Sequence, residues 1–349
     1  LKLYNQIRLT TDVSDEVSEL LAAPTTLISS TAESFMFNFG PGITPDDRNP
    51  AFNDYVATQK SRYISPWFYE IMKGYNPTIN TNNPDPRIPY YWYNQLEEDG
   101  ETSFDTEYRD GPFVSVLFGS VGVNRDWSTD SYMSVFGLYP AGGRFDDGGA
   151  EPVDATSGTG AAPFKFLTYA DRLYIEAELM NAGVIAGDPR AKLEAAMVES
   201  FKQVDFIAAK AKLASQTVPV LSGTPAVTTY ISKVLAEYDA QASSSEKLEV
   251  IMTQKWIASF GSHVDQYTDY RRTGYPVLFD PNNPAHAPGK MFQPPVNGNP
   301  TLDTDQPAVP VQLTRAYPLS LPWSQDELQT NTNAPAQKQP SSYKVFWDN

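Results

Sequence analysis

The sequence predicts a mainly α fold: a tetratricopeptide-like helical scaffold with an irregular, loop-rich part and minor β-structure. Three observations predict it. Between residues 164 and 276, apolar residues recur at helical spacing in successive stretches, each bounded by a capping residue, a Pro or a Gly. Between residues 40 and 163, Pro, Gly and Asn break every short apolar run. The chain of 349 residues is long enough to bury a core without disulfides, and it has no Cys.

Residues 1–10 read as the tail of a helix cut from its start, and the opening Leu1-Lys2-Leu3-Tyr4 without Met suggests a processed or truncated beginning. Asp12 or Ser14 caps a helix to about Ala22, with Val17, Leu20 and Leu21 on one face and Pro24 as its stop. Residues 25–30 suggest a further helical turn. Phe35, Phe37 and Phe39 alternate, the period of a short strand. Residues 67–74 suggest a helix closed by Gly74. Tyr90-Tyr91-Trp92-Tyr93 reads as a strand with about half of its rings exposed, since strand side chains alternate between faces. Residues 113–123 are β-prone, and residues 94–163 are otherwise turns and short strands. An irregular region of that length inside a compact domain is usually functional.

The helical half is better defined. Phe166, Leu167, Ala170, Leu173, Tyr174, Ala177 and Leu179 form one stripe, closed by Gly183. Pro189 opens a second helix to about Ala214 as a first-turn proline. A third follows Pro225. Ser243 and Glu246 fit a capping box opening a fourth, which runs to Phe260. A short fifth carries Tyr267, Tyr270, Arg271 and Arg272 and stops at Thr273-Gly274. Residues 277–349 are a Pro- and Asn-rich tail, expected to wrap back onto the core. The chain thus reads as one domain: a helix remnant plus loop-rich part (1–163), helical pairs (164–276) and a C-terminal tail (277–349).

Charge narrows the partners. A formal charge of −16 disfavours nucleic acid and anionic lipid and suits a neutral or cationic ligand. No run of 18 apolar residues exists and no signal peptide is visible. Two histidines, His263 and His286, cannot form a His-rich metal site by themselves. No Gly-x-Ser-x-Gly elbow and no phosphate-binding Gly loop in strand–helix context is present. Asp146-Asp147, Glu97-Glu98 and Asp303 with Asp305 are the acid pairs a glycosidase reading would use, although solvated loops have the same composition. Residues 80–85 and 145–154 offer oxygens to a structural calcium without the spacing of a known calcium loop. No cofactor is otherwise expected.

The aromatics are the stronger signal. The chain has 20 Tyr, 18 Phe and 6 Trp. Sugar rings stack on such side chains while nearby polar groups fix their orientation. Tyr91, Trp92, Trp127, Tyr132 and Tyr139, with Asn124, Arg125 and Arg144, are therefore the expected ligand platform. The competing reading packs each of these rings onto the helical core, which is where Trp256 is placed.

Several segments, in order, resemble one family. Gln254-Lys255-Trp256 and Arg271-Arg272-Thr273-Gly274-Tyr275-Pro276 resemble the signature of the SusD/RagB-like outer-membrane nutrient-binding lipoproteins, in the SusD-like branch. Asp85-Pro86-Arg87-Ile88-Pro89, residues 168–183 and residues 315–333 resemble further family segments, as do residues 1–10. The family's anchor cysteine and roughly its first third have no counterpart, and Asp171-Arg172 replaces an Ala-Glu step. The resemblance implies a non-catalytic, lipid-anchored cell-surface protein of Bacteroidota. Such a protein captures oligosaccharides or other nutrients for a SusC-like TonB-dependent transporter. Competing readings are an extracytoplasmic glycoside hydrolase and a helical-repeat scaffold that binds a peptide or protein. Family ligand contacts do not sit on shared motifs, so the platform residues rest on the aromatic-loop reasoning alone.

Overall fold

The computed structural model describes residues 1–23, 27–57, 60–100, 108–115, 132–262, 265–278 and 318–347. Among them the chain is mainly helical, as expected, and its helical pairs form the scaffold. Helices α7 (Tyr169–Asn181) and α8 (Pro189–Ala211) make one pair, and α9 (Pro225–Ala240) and α10 (Ser244–Ala258) the next. Helix α7 packs on both α8 and α10, so the two pairs share one core.

The helix ends follow local chemistry. Thr168 and Asp171 form a reciprocal capping box on α7, and Ser243 and Glu246 do the same on α10. Asp188 caps α8 ahead of Pro189, and Thr224 caps α9 ahead of Pro225. The buried stripe of α8 runs through Leu193, Met197, Phe201, Val204 and Ile207. It meets Val227, Tyr230, Val234 and Tyr238 of α9 in one contiguous core. Helices α8 and α10 end at Ala211 and Ala258, slightly earlier than the sequence suggests.

At the amino-terminal end, α1 (Lys2–Ile7) and α2 (Ser14–Ala22) place Val13 and Val17 against Ile175 and Leu179 of α7. Residues 27–30 form no helical turn. The shorter helices α3 (Asn53–Val56), α4 (Pro66–Lys73), α5 (Ile88–Tyr91) and α6 (Leu138–Ala141) lie in the loop-rich part. Gly74 stops α4 in the left-handed conformation, at φ 76°.

The described strands form three two-stranded antiparallel ribbons. They pair β1 (Phe35–Phe37) with β6 (Phe164–Leu167), β2 (Trp92–Tyr93) with β5 (Val135–Phe136), and β3 (Tyr108–Asp110) with β4 (Phe113–Ser115). The run from Tyr90 to Tyr93 is not the strand expected. Its first half is helix α5 and only Trp92 and Tyr93 pair, with Phe136 and Val135. The cause lies just upstream. Asp85 holds the Arg87 backbone N–H at 2.9 Å and clamps its guanidinium, which starts the turn with Pro89 in its opening positions.

That clamp is buried. The Arg87 guanidinium donates to Ser200 Oγ at 2.9 Å and lies over the rings of Phe201, Tyr230 and Tyr91, with its carbon 4.7, 5.7 and 5.8 Å from their centres. The Asp-Pro-Arg-Ile-Pro segment is thus the pin joining the loop-rich part to α8 and α9.

The second pin is the Arg271-Arg272 segment in α11 (Gln266–Thr273). Arg272 makes a two-pronged ion pair with the fully buried Glu178 of α7. Glu178 also accepts from Arg8 at 3.0 Å and from Asn5 at 2.9 Å. Asp269 bridges Arg272, at 2.9 Å, and Lys255 of α10, at 2.6 Å. One buried carboxylate therefore ties α1, α7 and α11 together. Burial alone would push its carboxyl up, but Arg272, then Lys255 and Arg8, hold it at about 2.

The described end of the tail, with α12 (Gln325–Thr330), reaches α11 at two points. Tyr267 donates to the Pro318 carbonyl, and the Arg271 guanidinium lies 4.7 Å from the centre of the Trp347 ring. Elsewhere these residues bond to one another and are mostly exposed.

Candidate functional site

An aromatic cleft of about 740 Å³ opens where the loop-rich part meets the end of α10. Its size is that of a small-molecule site. Phe39, just past β1, and Phe164 of β6 line it, as do Tyr63, Phe68 of α4 and Phe136 of β5; Trp256 and Phe260 come from the end of α10 and just beyond it. Arg62, Ser61, Ser65, Asn49 and Gln266 supply its polar edge.

The wall is rigid because its rings pack on one another. Phe68 stacks on Phe260 with centroids 4.7 Å apart and meets Trp256 edge-on at 5.1 Å. Phe260 also stacks on the buried Tyr91 at 4.8 Å and meets Phe136 edge-on at 5.3 Å. Gly261 follows with φ 78°, and a Cβ there would stand 2.8 Å from Pro140 Cβ. Only glycine lets the chain turn this close to α6 and leave Phe260 facing the cleft.

The polar groups divide into fixed and available ones. Asn49 spends its amide on the carbonyls of Pro140 and Ala162, at 3.2 and 2.8 Å. Gln266 donates to Ser259 Oγ at 2.5 Å. Arg62 is held mainly by its backbone, whose N–H reaches Asp54 at 3.0 Å. Its guanidinium touches Ser61 Oγ at 3.3 Å and approaches Asp54 only to 3.8 Å, which leaves donors for a ligand. Among the described residues no Asp or Glu lines this cleft.

Above the cleft's edge the β1–β6 ribbon continues the aromatic surface. Phe35 and Phe37 are 62% and 56% exposed, and Phe35 stacks on Phe166 at 5.2 Å.

The platform expected from sequence needs correction at four residues. Tyr91 and Trp92 are 0% exposed, Tyr139 1% and Tyr132 8%. All are built into the core, and no ligand face remains. Tyr91 stacks on Tyr139 at 5.1 Å, and Trp92 packs edge-on to Phe68 and Phe113. Arg144 is partly exposed. It bonds the Tyr93 hydroxyl at 3.1 Å and Glu151 at 2.8 Å, beside a separate polar pocket with Phe145, Asp147 and Gln216. Asn124, Arg125 and Trp127 lie outside the described residues.

Trp256, expected in the core, is corrected the other way, and its neighbour Phe260 goes with it. Each is only partly buried, so they seal the core with one face and line the cleft with the other. Their spacing of four, at a helix end just before Gly261, was the available signal. Nothing in the sequence marked Arg62 or Phe164 as neighbours of that pair.

Asp146 and Asp147, and Asn80, Asn83 and Asp85 of the first calcium candidate, are occupied with local bonding. Asp146 accepts from Asn94 and from the Gly148 N–H, and Asp147 from the Gly149 N–H. Burial pushes Asp146 up, against the pull of those bonds. Both Asp85 oxygens hold Arg87. Asn80 and Asn83 bond the hydroxyl and carbonyl of Tyr230. No group of three metal-ligating side chains occurs among the described residues. Asp303 and Asp305 lie outside them. No described helix is long and apolar enough to cross a membrane.

Residues 1–294 match the SusD-like family described as "Starch-binding associating with outer membrane", and the chain belongs to it. A SusD homologue from Bacteroides fragilis is 22% identical with a TM-score of 0.50, covering 82% of this chain and 55% of that one. A chitin-binding protein is 17% identical with a TM-score of 0.50, covering 100% of this chain and 64% of the other. A Bacteroidetes SusD-like protein is also 17% identical with a TM-score of 0.50, covering 80% and 58%. These likenesses concern the fold, and the chain spans less than two thirds of each relative's length. No curated protein matches it.

Proposed function

We propose that this chain captures a neutral oligosaccharide at the cell surface without catalysis, for delivery to a SusC-like TonB-dependent outer-membrane transporter. The cleft carries this reading: apolar rings offer stacking faces for pyranose units, and Arg62 offers charged donors to their hydroxyls. A net charge of −16 argues against anionic glycans. The absence of carboxylates from the described cleft lining argues against the hydrolase reading, which needs a facing pair. The family description and the chitin-binding relative point to glucan or chitin oligomers. Attachment to the outer membrane through a lipid belongs to the same proposal, as does a contribution of Asn124, Arg125 and Trp127 to the binding surface.

Calorimetric titration with maltooligosaccharides and chitooligosaccharides tests it. Phe164→Ala is expected to weaken binding about 10-fold, the range of one lost stacking contact, with its melting temperature monitored alongside. Undiminished affinity in both Phe164→Ala and Arg62→Ala removes the cleft from the site. Release of reducing ends from a bound glycan restores the hydrolase reading.

A further inference from the structure

One short segment supplies a whole wall of the cleft: Ser61, Arg62, Tyr63, Ile64 and Ser65 all line it. Residues 60–65 belong to no helix or strand, so no backbone ladder fixes them. The side chain of Asp54, in the first turn of α3, does so instead. Asp54 is only 1% exposed and does not itself line the cleft.

An acid in a first turn ordinarily serves its own helix terminus. The bonds of Asp54 run to the cleft wall. Its Oδ1 accepts from the Ser61 N–H at 3.0 Å and from the Ser61 hydroxyl at 3.1 Å. Its Oδ2 accepts from the Arg62 N–H at 3.0 Å. Lys60 Nζ donates to the Asp54 carbonyl at 2.6 Å. The next residue, Tyr55, ties α3 to another part of the wall by donating to the Phe136 carbonyl at 2.8 Å.

Ser61 passes this hold outward. Its hydroxyl donates to Asp54 and accepts from Arg62 Nη1 at 3.3 Å. The Arg62 guanidinium itself stays 3.8 Å from Asp54, whose oxygens already face the two N–H groups and the hydroxyl. A close two-pronged pair would have consumed the donors. The arginine is thus aimed while its donors stay open.

We propose that Asp54 is a positioning residue of the cleft. It sets where the 60–65 wall stands and, through Ser61, the direction of the Arg62 donors, without touching the ligand. A guanidinium held in place loses less freedom when a sugar hydroxyl arrives. The assignment rests on the reading of the cleft as the sugar site.

Two measurements test it. The first needs no sugar. In Asp54→Asn, amide hydrogen exchange at Ser61 and Arg62 is expected to quicken about 10-fold while the core amides of α8 keep their rates, the effect of one lost charge-assisted bond. Unchanged exchange at both amides overturns the proposal. The second is calorimetric titration with maltohexaose and chitohexaose. Asp54→Asn is expected to weaken binding about 10-fold, and Ser61→Ala, an exposed change that keeps both backbone bonds, about 3-fold. Neither change is expected to add much to Arg62→Ala, since the group they aim is then gone; losses that multiply overturn the assignment. So does a loss in Arg62→Ala with none in Asp54→Asn or Ser61→Ala, which leaves the cleft reading standing. Undiminished affinity in Arg62→Ala, or no binding by the unaltered chain, removes the cleft reading and this assignment together.

Discussion

At the scale of single residues, Glu178 and Lys165 are buried charges with opposite consequences. Glu178 ionises at about 2 in the folded chain, below its ordinary 4.5, because cations face it. Its contribution is therefore complete above pH 4.5 and is lost as pH falls toward 2. Glu178→Gln is expected to cost about 3 kcal/mol at neutral pH, the lower end for breaking a buried pair, since Asp269 still faces Arg272. Urea denaturation should show that deficit shrinking between pH 4.5 and 2. Lys165 shifts in the same direction but because its charge is disfavoured. Burial, partly opposed by Asp171, brings its ammonium down to about 7 from 10.5. Between those values the unfolded chain holds a proton that the folded chain does not, so stability rises with pH across the window. The slope is at most about 1.4 kcal/mol per pH unit. Asp171 of α7, Lys255 of α10, Asp269 of α11 and Asp265 line the pocket beside Lys165, and its Nζ stands 4.2 Å from the centre of the Tyr139 ring. Lys165→Met should flatten that slope, read from urea midpoints at pH 7 and 9.

At the scale of elements, the helices were legible and the site was not. Caps and prolines act within a few residues, so Ser243 with Glu246, Pro189 and Pro225 marked their helix starts directly. Tyr90 to Tyr93 misled because four aromatics in a row carry no period. Their conformation follows from the Asp85–Arg87 clamp upstream and from burial against α8, α9 and α10. The same burial removes Tyr91, Trp92, Tyr132 and Tyr139 from any ligand surface. The cleft draws Phe39, Arg62, Phe164 and Trp256 from segments far apart in sequence, a meeting that no local pattern encodes. The clamp gives the prediction at this scale. Asp85→Ala leaves the Arg87 guanidinium buried without its carboxylate and is expected to cost about 3–5 kcal/mol. A urea melt is the check, and Glu97→Ala, in an exposed turn, is expected to stay within about 0.5 kcal/mol.

At the scale of the whole molecule, two ionic pins and a capped helical scaffold hold an aromatic cleft at one edge. Asp85–Arg87 fixes the loop-rich part to α8 and α9, and Glu178–Arg272 fixes α11 and α1 to α7. Two of the segments that resemble the family, Asp85-Pro86-Arg87-Ile88-Pro89 and Arg271-Arg272, are these pins, which explains why they identify the chain while saying little about its ligand. Apart from Trp256 and Phe260, the rings of the cleft come from outside the segments that resemble the family. The cleft's rings already pack on one another, so little side-chain freedom is lost on binding. The most direct measurement is a crystal structure of the protein with a bound maltooligosaccharide or chitooligosaccharide. The predicted result is a pyranose ring stacked on Trp256 or Phe164, with a hydroxyl within hydrogen-bond reach of Arg62. A sugar seated elsewhere, with the cleft vacant, would contradict it.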